Sequence, residues 1–157
     1  MEAAESIERI KQFDAEVLAP LTERFAERAK RRDLPTEESF ARFVFPVLTG
    51  AIQRFLTAFG GPDIVNADPL LSSMGIFFVA RRLNDALPRD CPYCIGFFVK
   101  QEEELYRYRV FERSTDSELN RALSEGHVPV LYLTNKMLMF MPGRTGILSG
   151  IPPPSTS

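Results

Sequence analysis

The sequence has no tryptophan, a single histidine (His127) and only two cysteines, Cys91 and Cys94. Two cysteines do not make a disulfide framework and fit a reducing compartment. One histidine excludes paired-imidazole zinc motifs and the His-Glu-x-x-His pattern of metalloproteases. Charge of one sign is also lacking: 21 acidic residues stand against 19 basic ones, a formal net charge of −2. Phosphate backbones call for a basic footprint, so nucleic acid is not an expected partner. The densest basic run, Lys30-Arg31-Arg32, is followed by Asp33 and reads as a helix C-terminus that complements the macrodipole. Long apolar runs are missing too. Phe43–Gln53 and Phe55–Pro62 fall far short of the ~20 residues of a membrane span. Met1-Glu2-Ala3-Ala4-Glu5 has neither the basic nor the apolar region of a secretory signal. A cytoplasmic protein without a membrane partner is the expectation. No Gly-x-Ser-x-Gly elbow or phosphate-binding glycine loop appears, and Gly60-Gly61 ahead of Pro62 reads as a helix stop.

What remains is an ordinary globular composition: 157 residues, 45% hydrophobic and 25% charged. A chain of this length makes one domain and buries roughly 68–70% of its unfolded surface. Apolar residues at Ile7, Ile10, Phe13, Val17, Leu21, Phe25 and Ala29 step by three and four, as on a helix. Pro20 predicts a kink or two shorter helices meeting near Ala19. Thr36 caps a second helix whose wide stripe includes Phe40, Phe43, Val44, Val47, Leu48, Phe55 and Phe59, with Pro46 inside it. Asp68-Pro69 opens a third, ending at Pro88. From there the pattern changes to alternation at Ile95–Val99 and Leu105–Glu112, a hairpin joined by Gln101-Glu102-Glu103-Glu104. Ser114 or Thr115 can cap a short helix ended by Gly126, and Val128–Leu133 with Met137–Met141 forms a second strand pair around Asn135-Lys136. The expected fold is α+β: three N-terminal helices, then a small antiparallel sheet in ββαββ order. Residues 1–149 form the single domain, and 150–157 a disordered proline- and serine-rich tail.

Three stretches offer chemistry. The first is Cys91-Pro92-Tyr93-Cys94. A proline-tyrosine insert between two cysteines resembles the active site of glutaredoxins, and His127-Val128-Pro129-Val130 is similar to that family's Val-Pro step. The resemblance implies a thioredoxin-like dithiol oxidoreductase with Cys91 as the nucleophilic thiolate and Cys94 resolving the mixed disulfide. Pro129, in cis, would face the thiols. It also implies a strand ending before Cys91 and a helix starting at the motif. Ile95-Gly96-Phe97-Phe98-Val99 instead has the pattern of a strand, which favours two buried, inert thiols at a strand entrance.

A small zinc-stabilised domain is a further alternative: Cys91, Cys94 and His127 supply three ligands, Asp90 or water a fourth. With no second ligand pair, no metal site and no cofactor are expected. Tyr106-Arg107-Tyr108-Arg109 could stack bases, but alternation sends its tyrosines to one face of a half-buried strand.

The last stretch is Met137-Leu138-Met139-Phe140-Met141, apolar at every position. Methionine suits adaptable contact surfaces, and thirteen phenylalanines imply more apolar surface than a small core hides. The leading expectation is therefore a non-enzymatic domain that binds another protein or itself. Its contact residues would be Phe40, Phe43 and Val47 on the helical stripe, or Met137, Met139 and Met141 on the strand.

Overall fold

A computed structural model describes residues 3–99, 106–113, 117–133 and 136–142. The fold is α+β. Helices α1 (Ala3–Phe13), α2 (Ala19–Lys30), α3 (Glu37–Ala58), α4 (Pro62–Asn66) and α5 (Pro69–Ala86) precede strands β1 (Tyr93–Val99) and β2 (Tyr106–Glu112). Helix α6 (Ser117–Ser124) then leads to β3 (His127–Tyr132) and β4 (Met137–Pro142).

Pro20 acts as its chemistry demands. It lacks an N–H and its ring crowds the carbonyl four residues back. Between α1 and α2 the chain widens into a π-helical stretch, Asp14–Leu18, and the Ala19 N–H reaches back five residues to the Asp14 carbonyl. Pro20 then sits in the first turn of α2, where no N–H is needed. Helix α3 starts at a capping box: Thr36 Oγ1 accepts from the Ser39 N–H at 3.1 Å, and Ser39 Oγ accepts from the Thr36 N–H at 3.1 Å. It stops at Gly60 and Gly61, with φ of 100° and 106°, and the Gly61 N–H closes on the Leu56 carbonyl at 2.8 Å. The short helix α4 follows at once, starting on Pro62. The Gly-Gly-Pro stop signal concealed it. In α5 the Asp68 carboxylate accepts from the Leu71 N–H at 3.2 Å, as an N-cap should.

The N-terminal half thus holds five α-helices in place of the expected three, and a sixth lies among the strands. The sheet is also not antiparallel throughout. Its order is β2-β1-β3-β4; β1–β2 and β3–β4 are antiparallel, but β1 and β3 run parallel, Phe97 beside Val130. The cause lies in α6. Strand β2 leaves the sheet at the end where β1 begins, since Glu112 pairs with Tyr93. To reach the far side of β1 the chain needs a lateral step of two strand spacings, about 10 Å, and eight helical residues span about 12 Å. That step is too short to run the length of the sheet, so β3 enters at the same end as β1 and parallel to it.

Ile95, Phe97 and Val99 of β1, with Val128 and Val130 of β3, join the helical residues in one core. Cys94 and Gly96 alternate with them and point to the opposite face. Gly75 of α5 packs against Phe55 of α3: a Cβ there would overlap the ring. Among the described residues no helix is long and apolar enough to cross a membrane. The hairpin turn Gln101–Glu104, the α6 caps Ser114 and Thr115, Asn135 and the 150–157 tail lie outside the described residues.

Candidate functional site

The segment carrying both cysteines is held by several hydrogen bonds to its surroundings. The Cys91 N–H donates to the Pro88 carbonyl at 3.0 Å, and the Arg113 N–H to the Pro92 carbonyl at 2.8 Å. Tyr93 Oη donates to the Pro35 carbonyl at 3.3 Å, while its ring lies 5.8 Å from that of Phe40. Asn84 of α5 takes up the backbone of Ile95 on both sides. Its Oδ1 accepts from the Ile95 N–H at 2.8 Å and its Nδ2 donates to the Ile95 carbonyl at 3.0 Å. Pairing between β1 and β3 begins only at Phe97, so the Asn84 amide stands where a neighbouring strand would be.

Both cysteines are free and buried, Cys94 completely. Loss of hydration on burial pushes the Cys94 thiol up to about 12; the Arg113 guanidinium opposes this and Cys91 adds to it. Burial also raises Cys91, against the Tyr93 N–H and Arg113, with Asp90 adding to the rise. Raised thiols are poor nucleophiles at neutral pH. The motif opens a strand, so no helix starts at the motif to lower the thiols. Pro129 lies in β3 opposite Phe140, and its peptide bond is trans. Its carbonyl packs against Gly96, where a Cβ would come within 2.7 Å of it. Cys91 borders a small cavity of about 180 Å³ with Arg32, Asp33 and Asp90.

Among the described residues, no three His, Cys, Asp or Glu side chains gather as a metal site. His127 Nδ1 instead stands 3.8 Å from the Glu125 carboxylate.

The two proposed contact surfaces fare differently. Phe40 is fully buried and Phe43 nearly so, stacked on Phe25 with ring centroids 5.3 Å apart. Val47 is half-buried against the same core. Phe40 and Phe43 are thus spent inside the molecule. Among the described residues strand β4 lies at the sheet edge, where Met137 is 51% exposed and Met139 40%. Leu138 and Phe140, on the other face, are half-buried. The Met141 backbone pairs with Val128, while its side chain lies outside the described residues.

Sequence reasoning missed Asn84, Asn120 and Arg113. Asn120 Nδ2 donates to the Arg113 carbonyl at 2.6 Å, and its Oδ1 accepts from Arg113 Nε at 3.2 Å. Asn84 ties a helix to a strand backbone, and Asn120 ties one to the residue that follows β2. Their only trace in the sequence is a carboxamide beside an apolar helical position, Leu83 or Leu119. Compared with models of known protein families, with curated proteins and with solved structures, the chain finds no match.

Proposed function

We propose that this chain works by protein contact, without catalysis, and that edge strand β4 is the contact element. The exposure of Met137 and Met139 on that edge carries the reading. An edge strand presents a row of backbone donors and acceptors that a further strand can complete. Between Met137 and Pro142 the edge carries none of the charges with which sheets usually guard against such pairing. Methionine side chains adapt to whatever packs on them. The partner the chain itself supplies is a second β4, paired antiparallel across a two-fold axis so that the same residues meet from both sides.

A thiol–disulfide role has less support, because both thiols are buried and raised and sit at the mouth of a strand. Sedimentation of the wild-type chain and of a Met137→Lys/Met139→Lys variant, with backbone hydrogen exchange, tests the proposal. The wild type is expected to sediment above 17.8 kDa with β4 protected, and the variant as a monomer of unchanged thermal midpoint. A wild type that stays monomeric at ~100 µM with the same exchange as the variant overturns self-association through β4.

A further inference from the structure

Where α5 ends, β2 ends and α6 passes, the surface folds into a cleft of about 540 Å³. Its size falls within the range of small-molecule sites. Arg89 and Arg113 both line it, and Leu87 and Leu123 supply apolar wall. Arg113 is prepared for a ligand without needing one to hold it. Its N–H is bonded to Pro92, its carbonyl to Asn120, and its Nε to the same asparagine. Nε thus faces Asn120, and no described residue bonds the terminal guanidinium nitrogens. Arg89, just past the C-terminus of α5, has no hydrogen bond or ion pair among the described residues. The one carboxylate on the rim, Asp85, is engaged by Arg81, Nε to Oδ2 at 2.9 Å. Among the described residues, the cleft therefore holds two positive charges with no bonded carboxylate, beside apolar wall.

We infer that this cleft binds a small organic phosphate monoester. Two guanidinium groups match a dianionic head, which a phosphate monoester carries above its second pKa of about 6. Guanidinium takes phosphate oxygens through paired, charge-assisted hydrogen bonds. Leu87 and Leu123 face the organic part. The site includes no residue of β4 and neither thiol, although Arg113 also acts on the charge of both cysteines.

Titration of the ¹⁵N-labelled chain with inorganic phosphate and with phenyl phosphate, at ionic strength held constant with chloride, tests this. Saturable shifts are expected at Arg113, Asn120 and Leu123, with phenyl phosphate at least threefold tighter. Arg89→Gln should weaken both ligands about five- to tenfold while leaving the thermal midpoint in chloride unchanged, because Arg89 is exposed. Arg113→Lys keeps the charge but loses the planar fork, and should weaken them similarly. Shifts that fail to saturate, that are the same in Arg89→Gln, or that show no preference for phenyl phosphate each overturn the inference.

Discussion

Asn84 and Ile95 are joined as two strands are joined: the Asn84 carboxamide, on a helix, accepts from the Ile95 N–H at 2.8 Å and donates to its carbonyl at 3.0 Å. Ile95 is completely buried, so neither backbone group has water as a substitute partner. Leaving a buried donor or acceptor unpaired costs about 1–3 kcal/mol each. Asn84→Ala, which orphans both groups, should lower unfolding free energy by roughly 2–5 kcal/mol. Asn84→Asp keeps the acceptor for Ile95 N–H but sets a carboxylate against a carbonyl, and should be similarly damaging at neutral pH. Urea unfolding of the three proteins checks this; a loss below ~0.5 kcal/mol in the alanine variant would show the pairing to be incidental.

Gly75 presents a conflict between local preference and packing. In a helix interior, alanine is favoured over glycine by about 1 kcal/mol. A Cβ at Gly75 would overlap the ring of Phe55, which is itself 99% buried and packed between Phe13 and Phe59. Overpacking of this kind costs typically ~1–3 kcal/mol. Gly75→Ala should therefore destabilise the protein, and Gly75→Ala with Phe55→Leu should recover part of the loss. Thermal unfolding measures both, and a raised midpoint in the single variant would refute the packing argument.

The buried thiols make a prediction about alkaline pH. Cys94 is pushed from 9.0 up to about 12 by burial, so between those values the unfolded chain has lost its proton while the folded one keeps it. Stability then falls as pH rises, because the unfolded state binds fewer protons. The contribution is fully present below pH 9 and fades toward pH 12. Urea midpoints from pH 8 to 11 should decline less steeply in Cys94→Ala than in the wild type, which cancels the ionisation of lysines and tyrosines common to both. At pH 7.5 both thiols should resist alkylation by iodoacetamide until the chain unfolds, Cys94 more than Cys91. Rapid labelling of Cys91 in the folded protein would reopen the dithiol chemistry.

Phe40 and Phe43 separate core from contact. Both lie inside, so Phe40→Ala should cost about 3–5 kcal/mol of stability. Phe43→Ala should cost somewhat less, because Arg28 and Arg32 pack over its ring, 5.3 Å and 5.1 Å from the centroid, and shield the rim of the space left behind. Neither change should alter the apparent mass beyond what unfolding explains, whereas lysine at Met137 and Met139 should alter mass and spare stability. Paired unfolding and sedimentation experiments distinguish the two patterns.

Most of the secondary structure was legible because local chemistry dictates it. Thr36, Asp68-Pro69 and Gly126 mark helix ends by hydrogen bonds that reach no more than a few residues. The steps from Ile7 to Ala29 and the alternation from Ile95 to Val99 follow from helical and strand periods. The apolar run Met137–Met141 has no alternation and was readable as a strand from its short length and the turn residues Asn135-Lys136 before it. What the sequence left open depends on which surfaces meet. Phe40 and Met139 are both apolar on paper; one is buried where α3 packs into the core beside Tyr93, the other exposed because β4 falls at the edge of the described sheet. The parallel pairing of β1 and β3 follows from the reach of α6, a matter of distance across the sheet. Asn84, Asn120 and Arg113 carry no motif. Their roles arise only when strand backbones arrive beside them with hydrogen bonds unmade, and tertiary structure alone decides that.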